Sequence, residues 1–218
     1  MKTVGMLSPG YAEVPPGHVA NVVTCLEMFE RPQSRSPVDF SPPDILQRMD
    51  RGDLGAYRAL YRLVVQDLLW WSRLMMPDSE LSAILADTDV ELFAPRRNNR
   101  DIGILELDFR AGEECELAFF GLVPDAIGGG LGRALMKQAL TRAWDRPIRR
   151  LWVHTCTFDH PGAFDFYVRS SFTPYAFEVE VHPDPRLSGI LPRDAAQQVP
   201  LLDPDAPTIG CWPLRFGA

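Results

Sequence analysis

Four glycines, Gly128, Gly129, Gly130 and Gly132, follow the apolar run from Cys115 to Val123 and precede a segment with helical periodicity. A backbone free of side chains at a strand-to-helix junction can press its N–H groups onto an anion, and the positive end of the helix dipole favours the same charge. The chemistry this spacing offers is phosphate binding. Two rival phosphate motifs fail on register. A Walker A loop needs Lys and then Ser or Thr after its last glycine, whereas Arg133 and Ala134 follow Gly132. A Gly-x-Gly-x-x-Gly dinucleotide fingerprint started at Gly128 ends on Arg133, and started at Gly130 it ends on Leu135. The plain alternative is a flexible turn that joins strand to helix.

The elements that must position this junction can be read from periodicity. The stretch 1–17 is rich in Gly, Pro and Ser and reads as irregular, and Val19 to Phe29 reads as a first strand. The proline-rich stretch from Arg31 to Pro43 is a connection. Helical pattern is expected from Pro42-Pro43-Asp44 to Met76, broken once at Gly52 to Gly55, with Tyr57, Leu60, Tyr61, Val64, Leu68 and Trp71 on one face. Asp78 to Leu85 is a short helix. Strands Val90–Pro95, Asp101–Phe109 and Cys115–Val123 form an antiparallel meander with turns at Arg-Asn-Asn-Arg and Ala-Gly-Glu-Glu. A helix from about Gly130 to Trp144, a strand Arg149–Cys156, a helix Pro161–Ser170 and a strand Phe172–His182 follow. The wide apolar face of the Gly130–Trp144 helix requires packing on a sheet. The stretch 183–218 is proline-punctuated, with Ile190, Leu191, Val199, Leu201, Leu202 and Trp212 as anchors if it is ordered.

Composition limits the classes. With 218 residues, 46% of them hydrophobic, one domain with one core is the economical reading. A net charge of −7 argues against a nucleic-acid surface. Cys25, Cys115, Cys156 and Cys211 form no Cys-x-x-Cys pair, so no metal site is expected and thiols in a reducing cytoplasm are. No signal peptide and no run long enough to span a membrane is read.

The order from Val90 to His182 resembles the GNAT superfamily of acyl-coenzyme A dependent N-acyltransferases: three hairpin strands, a glycine turn, a helix, a strand, a helix carrying Phe166-Tyr167, and a last strand. The resemblance is close over the second half and looser over residues 18–87, which would form the acceptor side. It implies an α/β (α+β) fold with a mixed, mainly antiparallel twisted sheet flanked by helices. It also implies acetyl-CoA as co-substrate and an amine as acceptor, in a protein that is a monomer or homodimer and binds neither nucleic acid nor membrane. The family's glycine motif, Arg or Gln, two residues, Gly, one residue, Gly or Ala, falls on Ile127, Gly130 and Gly132, followed by Arg133. Ile127 departs from it. By the same resemblance the cofactor side comprises Leu122, Val123, Ile127, Gly128, Gly129, Gly130, Leu131, Gly132, Arg133, His160 and Phe164, with His160 where the family has Asn.

Attack of an amine on a thioester needs a base, N–H donors for the carbonyl oxygen, and an acid for the departing sulfur. Glu116 is the candidate base, at a position where several family members hold a glutamate, and strand alternation sets it on one face with Ala118 and Phe120. A solvated strand carboxylate is its alternative. Gly121 is read as a bulge that frees a backbone N–H. Tyr167 is the candidate acid, with a core aromatic as its alternative. His160 touches the pantetheine arm or caps the next helix. His154 assists as a base or is held in the sheet. Tyr57, Tyr61, Trp70, Trp71 and Arg73 line an acceptor slot, or pack in the core; Trp70 and Trp71 point in different directions on their helix. Two functions stay open: an N-acetyltransferase working by direct attack in a ternary complex, and a GNAT-like module that binds acyl-CoA without turnover.

Overall fold

A computed structural model describes residues 5–33, 39–41, 44–65 and 67–206. In chain order it contains β1 (His18–Met28), β2 (Asp44–Arg48), α1 (Leu54–Val65), α2 (Ser72–Met75), α3 (Asp78–Ala86), β3 (Val90–Arg97), β4 (Arg100–Asp101), β5 (Gly103–Asp108), β6 (Glu114–Leu122), α4 (Leu131–Trp144), β7 (Arg150–Cys156), α5 (Ala163–Arg169) and β8 (Thr173–Pro183). The strands build one sheet in the order β2-β3-β5-β6-β7-β1-β8, with β4 paired to β3 off this path. Every pairing is antiparallel except β6 with β7, which the α4 crossover makes parallel.

Helices cover both faces. On one, α1 turns Tyr57, Leu60, Tyr61, Val64 and Val65 onto the sheet, where Leu92 and Ile104 wait for them. On the other, Leu135, Met136 and Ala139 of α4 pack with Leu105, Leu117 and Val153, and Tyr167 and Phe172 extend that layer. Each fully buried side chain of this size contributes about 1.5–3 kcal/mol.

The helical pattern expected from Pro42-Pro43-Asp44 is corrected. Asp44–Arg48 is a strand paired with β3 from Asp44↔Arg97 to Arg48↔Phe93, and residues 42 and 43 lie outside those described. Five residues cannot bury a helix face there, whereas β3 offers an open edge, and Arg97 grips Asp44 through Nε at 2.6 Å and a terminal nitrogen at 2.9 Å. The helix begins instead at Leu54, where Asp53 Oδ1 accepts the Ala56 N–H at 2.8 Å as an N-cap. Leu68 and Trp71 lie beyond its end at Val65, so they do not continue its face.

Residues 184–206 are folded back onto the α1 side. The Arg186 guanidinium, 2% exposed, clasps Asp184 and donates to the carbonyls of Ala195, Val199 and Pro200. Leu191, Ala195 and Ala196 then join the α1-side core, with Ile190 and Val199 against it. Leu202, expected as an anchor, is 73% exposed, and Trp212 lies outside the described residues.

Candidate functional site

The site follows from the one parallel pairing. β6 and β7 are joined only at Glu114↔Arg150, Cys115↔Leu151 and Glu116↔Trp152. Beyond that point β6 stays with β5 as far as Leu122, and β7 stays with β1 as far as Cys156. Each strand is held by its outer neighbour while the inner ladder stops, so the sheet opens into a seam between β6 and β7.

A bulge tunes β6 at the start of this opening. Leu107 pairs with Leu117 but Glu106 pairs with Phe119, leaving Ala118 without a partner residue on β5. The bulge is therefore at Ala118 and not at Gly121, and it reverses the alternation. Cys115 and Leu117 face α4; past the bulge Phe120 rests on Phe166 and Tyr167 at 5.7 and 6.3 Å, while Phe119 turns to Tyr61 and Trp70 at 5.2 and 6.1 Å. Phe120 consequently does not share a face with Glu116, as simple alternation had it. Gly121 serves a close approach: a Cβ there would stand 2.5 Å from Val64 Cγ1 on α1.

Glu116 and His154 meet where the ladder ends. Glu116 Oε1 lies 3.6 Å from His154 Nδ1, with the side chains 26% and 47% exposed. Beside them Arg150 bridges Glu27 at 2.8 Å and Glu114 at 3.0 Å. On the other face Tyr167 is buried among Phe120, Phe166 and Phe172. Burial, and secondarily the charge of Asp159, push its phenol well above the usual tyrosine value. Tyr167 thus stays protonated throughout the ordinary pH range.

The glycine run closes the far end of β6. After a 3₁₀ turn at Pro124–Ala126, Gly128, Gly129 and Gly130 take φ of 100°, 54° and 91°, values side chains resist, and Gly130 is the N-cap of α4. No side chain caps that helix. A Cβ on Gly128 or Gly129 would meet nothing within 4 Å, and one on Gly132 only ordinary contacts from 3.9 Å, so packing does not demand glycine at these three positions. Space open over an uncapped helix end fits a phosphate ligand. Leu122 and Leu131 pack under the run and Val123 is 1% exposed, which leaves their backbones, while Ile127 is 52% and Phe164 40% exposed. Arg133 is exposed and forms no ion pair among the described residues; it borders a cleft of about 1080 Å³ beside α4, with Lys137, Arg169 and Ser170. His160 is exposed and its Nδ1 accepts the Gly162 N–H at 3.0 Å in the turn before α5, a helix that has no side-chain cap.

The expected acceptor residues separate. Tyr57 and Tyr61 are 0% exposed and Arg73 is buried against the equally buried Glu106, to which the Tyr57 hydroxyl also donates at 2.8 Å. These three stand in the core beneath the seam and do not line a slot. Burial raises the Glu106 carboxyl, against the pull of Arg73. Trp71, the N-cap of α2, donates to His182 Nε2 at 3.2 Å on β8, and Trp70, before it and outside any helix, donates to Asp159 Oδ1 at 2.6 Å. Asp159 and Ala118 were missed in the sequence; Asp159 follows β7 in a polar turn, whereas a bulge leaves no mark in a run such as Leu-Ala-Phe-Phe.

Among the described residues no cluster of three or more His, Cys, Asp or Glu side chains could hold a metal, and no helix is long and apolar enough to cross a membrane. No curated protein matches the chain. Among solved structures, a conserved protein of unknown function from Staphylococcus epidermidis is similar at 15% identity and TM-score 0.54, over 77% of this chain and 63% of that one. A GCN5-related N-acetyltransferase from Sphaerobacter thermophilus is similar at 11% identity and TM-score 0.52, over 78% of this chain and 52% of that one. The chain thus matches less than two thirds of the length of either, and the likeness is one of fold. The sequence profile of the acetyltransferase (GNAT) family matches residues 57–172, more than half of the 218 residues and the whole of the parted seam with its glycine run. The chain belongs to the GNAT acetyltransferase family.

Proposed function

We propose that the chain is a cytoplasmic N-acetyltransferase, monomeric or homodimeric, that passes an acetyl or other acyl group from acyl-CoA to a primary amine of a small molecule or protein by direct attack in a ternary complex. One observation carries this reading: the seam between β6 and β7 has the Glu116–His154 pair at its closed end and the uncapped, glycine-led α4 at the end of β6.

The amides of Gly128 to Gly132 and the Arg133 side chain would hold the diphosphate, with the cleft beside Arg133 available to the nucleotide end. Ile127 contributes no polar group, so the backbone carries this contact. The open edges of β6 and β7 would bond an extended amide-bearing arm. The bound thioester supplies an activated carbonyl. Glu116, with His154 beside it, takes the proton that the amine nitrogen gives up as the new N–C bond forms. The Ala118 region, out of the β5 ladder, offers backbone N–H to the carbonyl oxygen as it gathers charge. Tyr167 gives its phenolic proton to the sulfur as the C–S bond breaks. Glu116 is left with the proton lost by nitrogen and Tyr167 without its own, and proton exchange with water restores both, so the net products are amide and thiol.

The test is thiol release from acetyl-CoA across a panel of amines, with the amide product identified by mass. Amine-dependent release supports the enzyme. Tight binding of acetyl-CoA with no release from any amine would instead make the chain a binding module.

A further inference from the structure

Trp70 lies in the connection between α1 and α2, yet it touches both arms of the opened sheet. Its ring centroid is 6.1 Å from that of Phe119 on β6, and its Cζ3 would stand 3.9 Å from a Cβ on Gly121. Its Nε1 donates at 2.6 Å to Asp159, whose other oxygen takes the Thr155 hydroxyl at 2.5 Å and the Cys156 N–H at 3.0 Å at the end of β7. One indole therefore bridges the seam on the α1 side. The space behind it is filled: Tyr61, 0% exposed, stands edge-on to Phe119, and Val64 is 4% exposed.

We infer that Trp70 sets the acyl chain length, admitting acetyl-sized groups to the seam and excluding long chains; this rests on the acyl-thioester reading above. A chain of several carbons emerging between β6 and β7 on that side would have to displace the indole. That would break a charge-assisted hydrogen bond and leave Asp159 short of a donor, and the packed Tyr61 and Val64 offer the chain no alternative room.

Calorimetric titration of the wild type, Trp70→Ala and Trp70→Phe with CoA, acetyl-CoA, butyryl-CoA and octanoyl-CoA tests this without knowledge of the acceptor. The wild type is expected to bind octanoyl-CoA at least about tenfold more weakly than acetyl-CoA, and Trp70→Ala to bring the two within about twofold. Trp70→Phe keeps a ring but loses the bond to Asp159, and falls between; should Trp70→Ala fail to fold, this variant decides the question. Equal wild-type affinities for acetyl-CoA and octanoyl-CoA, or discrimination unchanged in the folded variants, overturn the gate while leaving the thioester reading intact. No binding of any of the four compounds overturns both.

Discussion

Glu116 on β6 and His154 on β7 approach to 3.6 Å at the point where their strands cease to pair. The parallel register makes this contact: Glu116 is level with Trp152, and His154 is the next residue on the same face of β7. A carboxylate and an imidazole thus meet at the closed end of the opening, where the proposed reaction would take the amine's proton.

Glu116→Gln removes the proposed base and keeps the shape. Turnover of acetyl-CoA should fall by about 10²- to 10⁴-fold with CoA affinity nearly unchanged. Steady-state kinetics beside calorimetry measure this, and an unaltered rate would exclude Glu116 from the chemistry.

Tyr167→Phe deletes one oxygen from a packed aromatic cluster. At least about a tenfold loss of kcat is expected, with cofactor affinity and thermal midpoint close to wild type. A large drop in the midpoint with kcat preserved would make Tyr167 a packing residue.

Gly130 caps α4 at φ 91°. Gly130→Asn tolerates that conformation without adding charge, whereas Gly130→Asp sets a carboxylate where the diphosphate should lie. Calorimetry should find CoA binding largely kept by the first and lost by the second. Retention by both variants removes the cradle assignment.

Gly121→Ala would push a Cβ to 2.5 Å from Val64 Cγ1. Urea denaturation should show a loss of about 1–3 kcal/mol, partly recovered by adding Val64→Ala. Strict additivity of the two losses would mean that α1 does not rest on this glycine.

Burial tends to raise the Asp184 carboxyl, but its hydrogen bonds from the Arg186 side chain and N–H prevail and hold it below the usual 3.8. A lowered folded value stabilises above the ordinary value and the benefit disappears as pH falls through the lowered one. Protection factors for amide exchange across 184–200 should therefore fall in acid below about pH 4, and Asp184→Asn should blunt that dependence. Arg186→Ala, which leaves a buried carboxylate unpaired, should cost about 3–5 kcal/mol at neutral pH.

Much of the fold is legible in the sequence because its signals are local. The period-two runs at β1 and β6, the glycine run before α4 and the helical spacing of Tyr57, Leu60, Tyr61 and Val64 each reside in a few adjacent residues. Asp44–Arg48 misled because two prolines and an aspartate suit a helix start, and only the free edge of β3 turns the segment into a strand. Tyr57, Tyr61 and Arg73 stayed open between slot and core for a related reason: aromatics and an arginine at helical spacing look the same whether they face a cleft or a buried glutamate. The burial of Arg186 could not be read from its neighbours, since besides Asp184, two residues before it, it holds carbonyls up to fourteen residues away in an otherwise irregular segment.

The sequence by itself determined most of the turns, every long strand though not the short Asp44–Arg48, and that a glycine junction leads α4, because backbone freedom and periodicity are properties of neighbours in sequence. Only the tertiary structure decided that β6 and β7 part after Glu116, that the bulge at Ala118 turns Phe119 and Phe120 to opposite faces, and that Trp70 reaches across to Asp159. Those depend on register between strands distant in the chain, and register is settled when competing faces are buried together.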